Sequence, residues 1–167
     1  MPDTIMYGST RVAESMKLQL LTSVSNQAID PAVKTLFLDF DGVLHPVEGK
    51  AFVHVPALAA ALEGHDIQIV VTSSFRIHQP LDHILTHLGP LGPRVVGTTP
   101  LIDRGKSRQH EIDAWIAGYG VEDYRVLDDD SRLFTEKWAP LILCDGRKGL
   151  DKYVIDLLML WLNKSSL

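Results

Sequence analysis

The strongest constraint on the fold of this chain is an alternation. Five short apolar runs, TLFLDF (35–40), IQIVVT (67–72), RVVGTT (94–99), YRVLDD (124–129) and APLILCD (139–145), are separated by helix-like segments. The runs show little polar alternation, so as strands they would be apolar on both faces and would need cover on both. The intervening segments can supply it. VPALAAALEG (55–64) has Pro56 in its first turn and Gly64 at its stop, and PLDHILTHLG (80–89) follows the second run. KSRQHEIDAWIAGYG (106–120) repeats apolar residues at Ile112, Trp115, Ile116 and Tyr119. A terminal helix places Leu150, Tyr153, Val154, Leu157, Leu158 and Trp161 on one face, a stripe expected to pack on the sheet. The pattern predicts a three-layer, doubly wound, Rossmann-like α/β domain with a mostly parallel sheet.

Composition narrows the function. A chain of 167 residues with 46% hydrophobic content suits one domain over 34–167, leaving 1–33 as a partly helical extension. A helix from Ser9 or Thr10 through Leu21 is expected there, followed by the polar link TSVSNQ. The formal charge of −5 gives no global field for nucleic acid or an anionic membrane. The longest apolar run, VIDLLMLWL (154–162), is far below the ~20 residues that span a bilayer. A single cysteine, Cys144, excludes an internal disulfide and is expected as a buried strand residue. These features lead us to expect a soluble, cytoplasmic protein without a stable protein partner.

Ligands of doubly wound sheets sit at the carboxyl ends of the strands, and here those ends are polar. The first run ends in Asp39 with Asp41 beyond it, the second in TSSFR, the fourth in DDDSR and the fifth in CDGRK. Carboxylates brought together at one sheet edge repel unless a cation holds them. Oxygen ligands without thiol or histidine favour Mg²⁺, with Asp39, Asp128 and Asp129 as candidates. A carboxylate beside such an ion can attack phosphorus, and a second acid can protonate the leaving oxygen and later deprotonate water.

The order D-x-D, hydroxyl, cation, D-D resembles the haloacid dehalogenase (HAD) superfamily of phosphohydrolases. LFLDFDGVL is similar to its first motif. The resemblance implies Asp39 as nucleophile and Asp41 as acid/base whose main-chain carbonyl also binds Mg²⁺. Gly42 permits the turn behind them. IVVTSS resembles the second motif, with Thr72 as the first choice for the phosphoryl-holding hydroxyl and Ser73 close behind. The cation of the third motif is assigned to Lys106, with Arg108 as rival. VLDDD resembles the fourth motif, with Asp128 and Asp129 as metal ligands and Asp130 as a cap for the next segment. Gly42, Ser74, Arg76 and Arg108 are assigned to substrate binding.

More narrowly, SSFR, RQHEIDAWI and VLDDD are similar to small HAD domains associated with RNA-repair proteins, although Phe75 replaces a Trp and Gln109-His110 depart from that pattern. Only 31 positions separate Asp41 from Thr72 and 32 separate Ser74 from Lys106, so no large cap domain fits. The segment 76–94 is at most a small lid. The implied activity is Mg²⁺-dependent hydrolysis of phosphomonoesters through an aspartyl-phosphate, on a large or nucleotide-like substrate such as a nucleic-acid end. Phosphoryl transfer to another acceptor and non-catalytic phosphate binding are the alternatives.

Other signals carry less. RGKS (104–107) lacks the first glycine of a phosphate-binding loop. His83 and His87 have zinc-pair spacing but no third ligand, so a solvated helix face is expected. His45 is expected as an exposed loop histidine, and Arg132, Arg147 and Lys148 as solvated charge at the mouth. Of the aromatic residues that could stack on a base, Trp115 is expected in the core, while Phe75 and Trp138 stay open.

Overall fold

The computed structural model describes residues 28–102 and 107–165. Five strands, β1 (Lys34–Leu38), β2 (Ile67–Val71), β3 (Val95–Thr98), β4 (Tyr124–Asp128) and β5 (Leu141–Leu143), form one sheet in the order β3-β2-β1-β4-β5. Every pairing is parallel. The helices are α1 (Val55–Leu62), α2 (Phe75–His78), α3 (Leu81–Leu88), α4 (Arg108–Tyr119) and α5 (Lys152–Leu162). Among the described residues no cap domain is inserted, and no helix is long and apolar enough to cross a membrane.

The period of two along each strand sorts its residues onto two apolar clusters. Leu36, Leu38, Ile69, Val71 and Leu127 face a cluster completed by α1, α3 and α5. Phe37, Val70 and Val126 face the other, completed by Ile112 and Trp115 of α4 and by Phe134. Complete burial of such side chains stabilises by about 1.5–3 kcal/mol each, so both helical layers are held by the sheet they cover. Local sequence sets the helix limits. Pro56 occupies the first turn of α1, Gly120 ends α4 in the left-handed region, and Asp151 caps α5 by accepting from Val154 N–H at 3.0 Å.

Two expectations require correction. Tyr153 does not join the packed stripe of α5. It is 67% exposed, because its neighbour Val154 takes the inward position and consecutive helical residues point about 100° apart. The segment 76–94 is not a lid. Ile84, Leu88 and Leu91 from it are fully buried, so it is a packed crossover of the α1 layer. The expected helix between residues 9 and 21 lies outside the described residues.

Candidate active site

The strand order places β1 at the switch point, with β2 and β3 on one side and β4 and β5 on the other. The crevice outside the carboxyl ends of β1 and β4 is therefore the expected ligand position. Asp39 follows β1 and Asp128 ends β4, in neighbouring register. Period two turns both onto the α4 face, together with Thr72 after β2 and Thr99 after β3. The four residues make a row across the sheet edge, and all are buried.

Arg108, the first residue of α4, is aimed into this row. Its Nη1 donates to Asp39 Oδ2 at 2.7 Å and to Asp128 Oδ2 at 2.5 Å. Burial works against the guanidinium charge, but Asp39 and then Asp128 outweigh it and raise the pKa above the ordinary arginine value. Asp128 is wholly inaccessible, and burial lifts its carboxyl to about 6 against the pull of Arg108. Its Oδ1 also accepts from Asp130 N–H at 2.9 Å, which fixes the carboxylate plane. Asp129 is likewise raised, by burial first and by Asp39 second. Lys106 lies outside the described residues. Arg108, the other basic candidate, is brought onto the carboxylates.

The acid cluster fits a divalent ion. Asp39, Asp128 and Asp129 each offer an oxygen, and these atoms lie within 4.8 Å of one another. Backbone approach shapes the third ligand. Gly42 has φ +71°, and a Cβ there would collide with the Asp129 side chain, so a bare left-handed residue is required behind it. Gly146, in the turn after β5, presses on the same carboxylate from elsewhere. Val47 N–H donates to Gly146 C=O at 2.8 Å, which joins the turn after β5 to the loop after β1. The Asp41 side chain is absent from the cluster and points to His45 instead.

The hydroxyls after β2 have different surroundings. Ser73 Oγ accepts from Phe75 N–H at 3.3 Å, a local turn, and Ser74 is exposed with no side-chain cap bond. Thr72 Oγ1 is buried without a partner, as is Thr99 Oγ1. An unsatisfied buried hydroxyl costs about 1–3 kcal/mol, and a group held at that cost beside the nucleophile candidate is poised to donate to a ligand.

Arg76 has a different position from the one its assignment to substrate suggests. Its guanidinium donates to the main-chain carbonyls of Thr72, Ser73 (2.8 Å) and Thr99 (3.1 Å) and pairs with Glu111 at 2.5 Å. It therefore ties the ends of β2 and β3 to α4, one turn beyond Arg108. Burial pulls its pKa below the ordinary arginine value, with Glu111 opposing. Sequence reading passed over Glu111, although an acid next to Ile112 on the inward stripe of α4 was a usable signal.

His45 is the clearest correction. It is 9% exposed, not a solvated loop residue, because the loop carrying it folds back on the β1 turn. Its Nε2 lies 2.9 Å from Asp41 Oδ1. The remaining candidates are as expected or peripheral. Arg132 and Arg147 are almost fully exposed, and each folds back onto the acid two residues before it, Asp130 and Asp145. Asp130 caps the short turn after β4. Lys148 is exposed, Cys144 is buried with its thiol pKa pushed up by burial, and Trp115 is in the core. His83 bonds to Gln79, while His87 stacks on Phe52 at 4.9 Å. Phe75 packs on Phe40 and Phe52, and Trp138 stacks on Phe134.

A family model described as the HAD domain in Swiss Army Knife RNA repair proteins matches residues 35–155. No curated protein and no solved structure matches the chain.

Proposed function

The chain belongs to the family of HAD domains in Swiss Army Knife RNA repair proteins, and from that premise we propose that it is a Mg²⁺-dependent phosphomonoesterase. Membership alone supports a HAD-type phosphoesterase at the superfamily level. The observation that carries the finer reading is the trio of buried Asp39, buried Asp128 and half-buried Asp129 at the switch point of the sheet. Asp39, Asp128, Asp129 and the main-chain carbonyl of Asp41 would hold the ion, which when bound offsets phosphate charge and polarises the phosphoryl oxygens.

The chain's own groups then divide the work. Asp39 attacks phosphorus, and Arg108 holds that carboxylate in place and balances incoming negative charge. Thr72 Oγ1, without a protein partner, donates to a phosphoryl oxygen. Asp41, 62% exposed at its side chain and therefore open to the mouth, gives a proton to the leaving oxygen. It takes a proton back from the water that hydrolyses the aspartyl-phosphate. The absence of a cap among the described residues supports a large or nucleotide-like substrate, and the family's description favours an RNA end over a metabolite.

The test is phosphate release with Mg²⁺ from an aryl phosphate, mononucleotides, sugar phosphates and 5′- and 3′-phosphorylated oligonucleotides, with Asp39→Asn as control. Turnover in the parent chain that disappears in Asp39→Asn is expected. Undiminished turnover in the variant overturns the nucleophile assignment. Trapped phosphoenzyme without released phosphate would favour transfer to another acceptor.

A further inference from the structure

We infer that His45 is a positioning residue for Asp41, selecting which oxygen of that carboxyl carries the catalytic proton. The inference rests on the role proposed above for Asp41, but the geometry behind it is independent of activity.

Phe52 sets that geometry. Its backbone is in the left-handed region, φ +57°, which costs a non-glycine residue about 1–2 kcal/mol. The ring is packed on Phe40 (5.5 Å), Phe75 (6.0 Å), His45 (5.3 Å) and His87 (4.9 Å), and these contacts hold the conformation. In that conformation Phe52 N–H donates to His45 Nδ1 at 3.2 Å. A main-chain amide can only donate, so Nδ1 must be the bare nitrogen and the ring proton must sit on Nε2. That N–H donates to Asp41 Oδ1 at 2.9 Å. The strained backbone thus dictates the tautomer, and the tautomer dictates the direction of the bond to Asp41.

The consequence for Asp41 is chemical. Oδ1 is engaged as an acceptor, so when the carboxyl is protonated the proton belongs on Oδ2. In the first half-reaction the Asp39 oxygen bonds to phosphorus, the bond from phosphorus to the leaving oxygen breaks with its electron pair on that oxygen, and the oxygen takes the Oδ2 proton. In the second half, water bonds to phosphorus, its proton returns to Oδ2, and the phosphorus bond to Asp39 breaks. His45 keeps its own proton throughout. A carboxyl held by one oxygen has one fewer orientation to lose before transfer, which is the benefit of positioning a general acid.

Two measurements on the full chain test this. Long-range ¹H–¹⁵N NMR of the histidine rings is expected to show His45 as the neutral Nε2–H tautomer. An Nδ1–H tautomer overturns the inference whether or not the protein is active. The second is single-turnover phosphoenzyme formation from an alkyl phosphate, whose leaving oxygen needs a proton, and from nitrophenyl phosphate, whose leaving group does not. His45→Leu is expected to slow the alkyl reaction by about 10- to 100-fold and the nitrophenyl reaction by no more than a few-fold. His45→Gln, which keeps a donor near the Nε2 position, should recover most of the loss. Equal slowing of both substrates, or no recovery by glutamine, refutes a positioning role. Absence of phosphate release from the parent chain would instead sink the phosphatase reading and leave the tautomer measurement to judge His45.

Discussion

Replacing Gly146 by alanine should weaken Mg²⁺ binding while leaving the metal-free fold intact. Gly146 lies outside the left-handed region, so an alanine there carries no backbone penalty of the kind Gly42→Ala would incur at φ +71°. The added Cβ would fall well within 3.0 Å of Asp129 Oδ2, about 3.4 Å from its Cγ and 3.3 Å from Val47 Cγ2. The Val47 contact is tolerable, whereas the carboxylate must withdraw by at least several tenths of an ångström. Metal–ligand distances tolerate only about 0.2 Å, and Mg²⁺ demands near-ideal octahedral geometry. Displacing a group that orients a ligand typically reduces affinity by about 10- to 100-fold, or roughly 1.4–2.7 kcal/mol. Unfolding of the metal-free variant should stay within about 1 kcal/mol of the parent, because alanine also restrains the unfolded chain. Calorimetric titration of both proteins with Mg²⁺, alongside denaturant unfolding in chelator, measures each quantity. Parental affinity in the variant would show that Asp129 is not held at the ion by this turn, and the reasoning would fail.

Three further outcomes are expected. Thr72→Val deletes a buried hydroxyl that has no partner, so stability should hold or rise by about 1 kcal/mol while phosphate release falls by about 100-fold. A destabilised valine variant with normal turnover would reverse that assignment. Glu111→Gln leaves Arg76 buried without its counter-charge and should cost about 3 kcal/mol, lowering the melting temperature by roughly 10 °C in thermal unfolding. No shift there would mean that the three carbonyls alone hold the guanidinium. The folded-state pKa of Asp128 is raised to about 6, so the folded protein binds this proton more tightly than the unfolded chain does. Its contribution to stability is complete below the ordinary aspartate range and is lost as pH rises through about 6, a change on the order of 3 kcal/mol. Metal-free unfolding at a series of pH values, compared with Asp128→Asn, should trace that loss, and a flat difference would contradict it.

The sheet and the acid cluster were legible because they depend on residues that repeat or terminate a pattern. Continuous apolar runs specify strands buried on both sides, and Asp39, Thr72 and Asp128 are conspicuous because each interrupts such a run at its carboxyl end. The features that escaped depend on contacts without periodicity. The burial of His45 results from a loop closing on the β1 turn and from an amide donated by a left-handed Phe52, and neither leaves a mark in residue type. Gly146 looks like any turn glycine until Asp129 is found against it. Tyr153 misled because it sits in an apolar stretch yet lies about 100° around the helix from the inward-facing Val154. Arg76 was noticed for its position after the hydroxyl motif. Its three carbonyl partners could not be read from the chain, because main-chain acceptors are identical at every position.

The clasp formed by Arg76 and Glu111 has a polarity that cannot be inverted. In an ordinary ion pair the two charges can exchange places and much of the attraction returns. Here the arginine also donates to three main-chain carbonyls at the ends of β2 and β3, and a carboxylate in its place would meet those oxygens with repulsion. The cation is therefore bound to the strand side and the anion to the helix side, so any sequence that drifts at this pair must lose it before it can rebuild it.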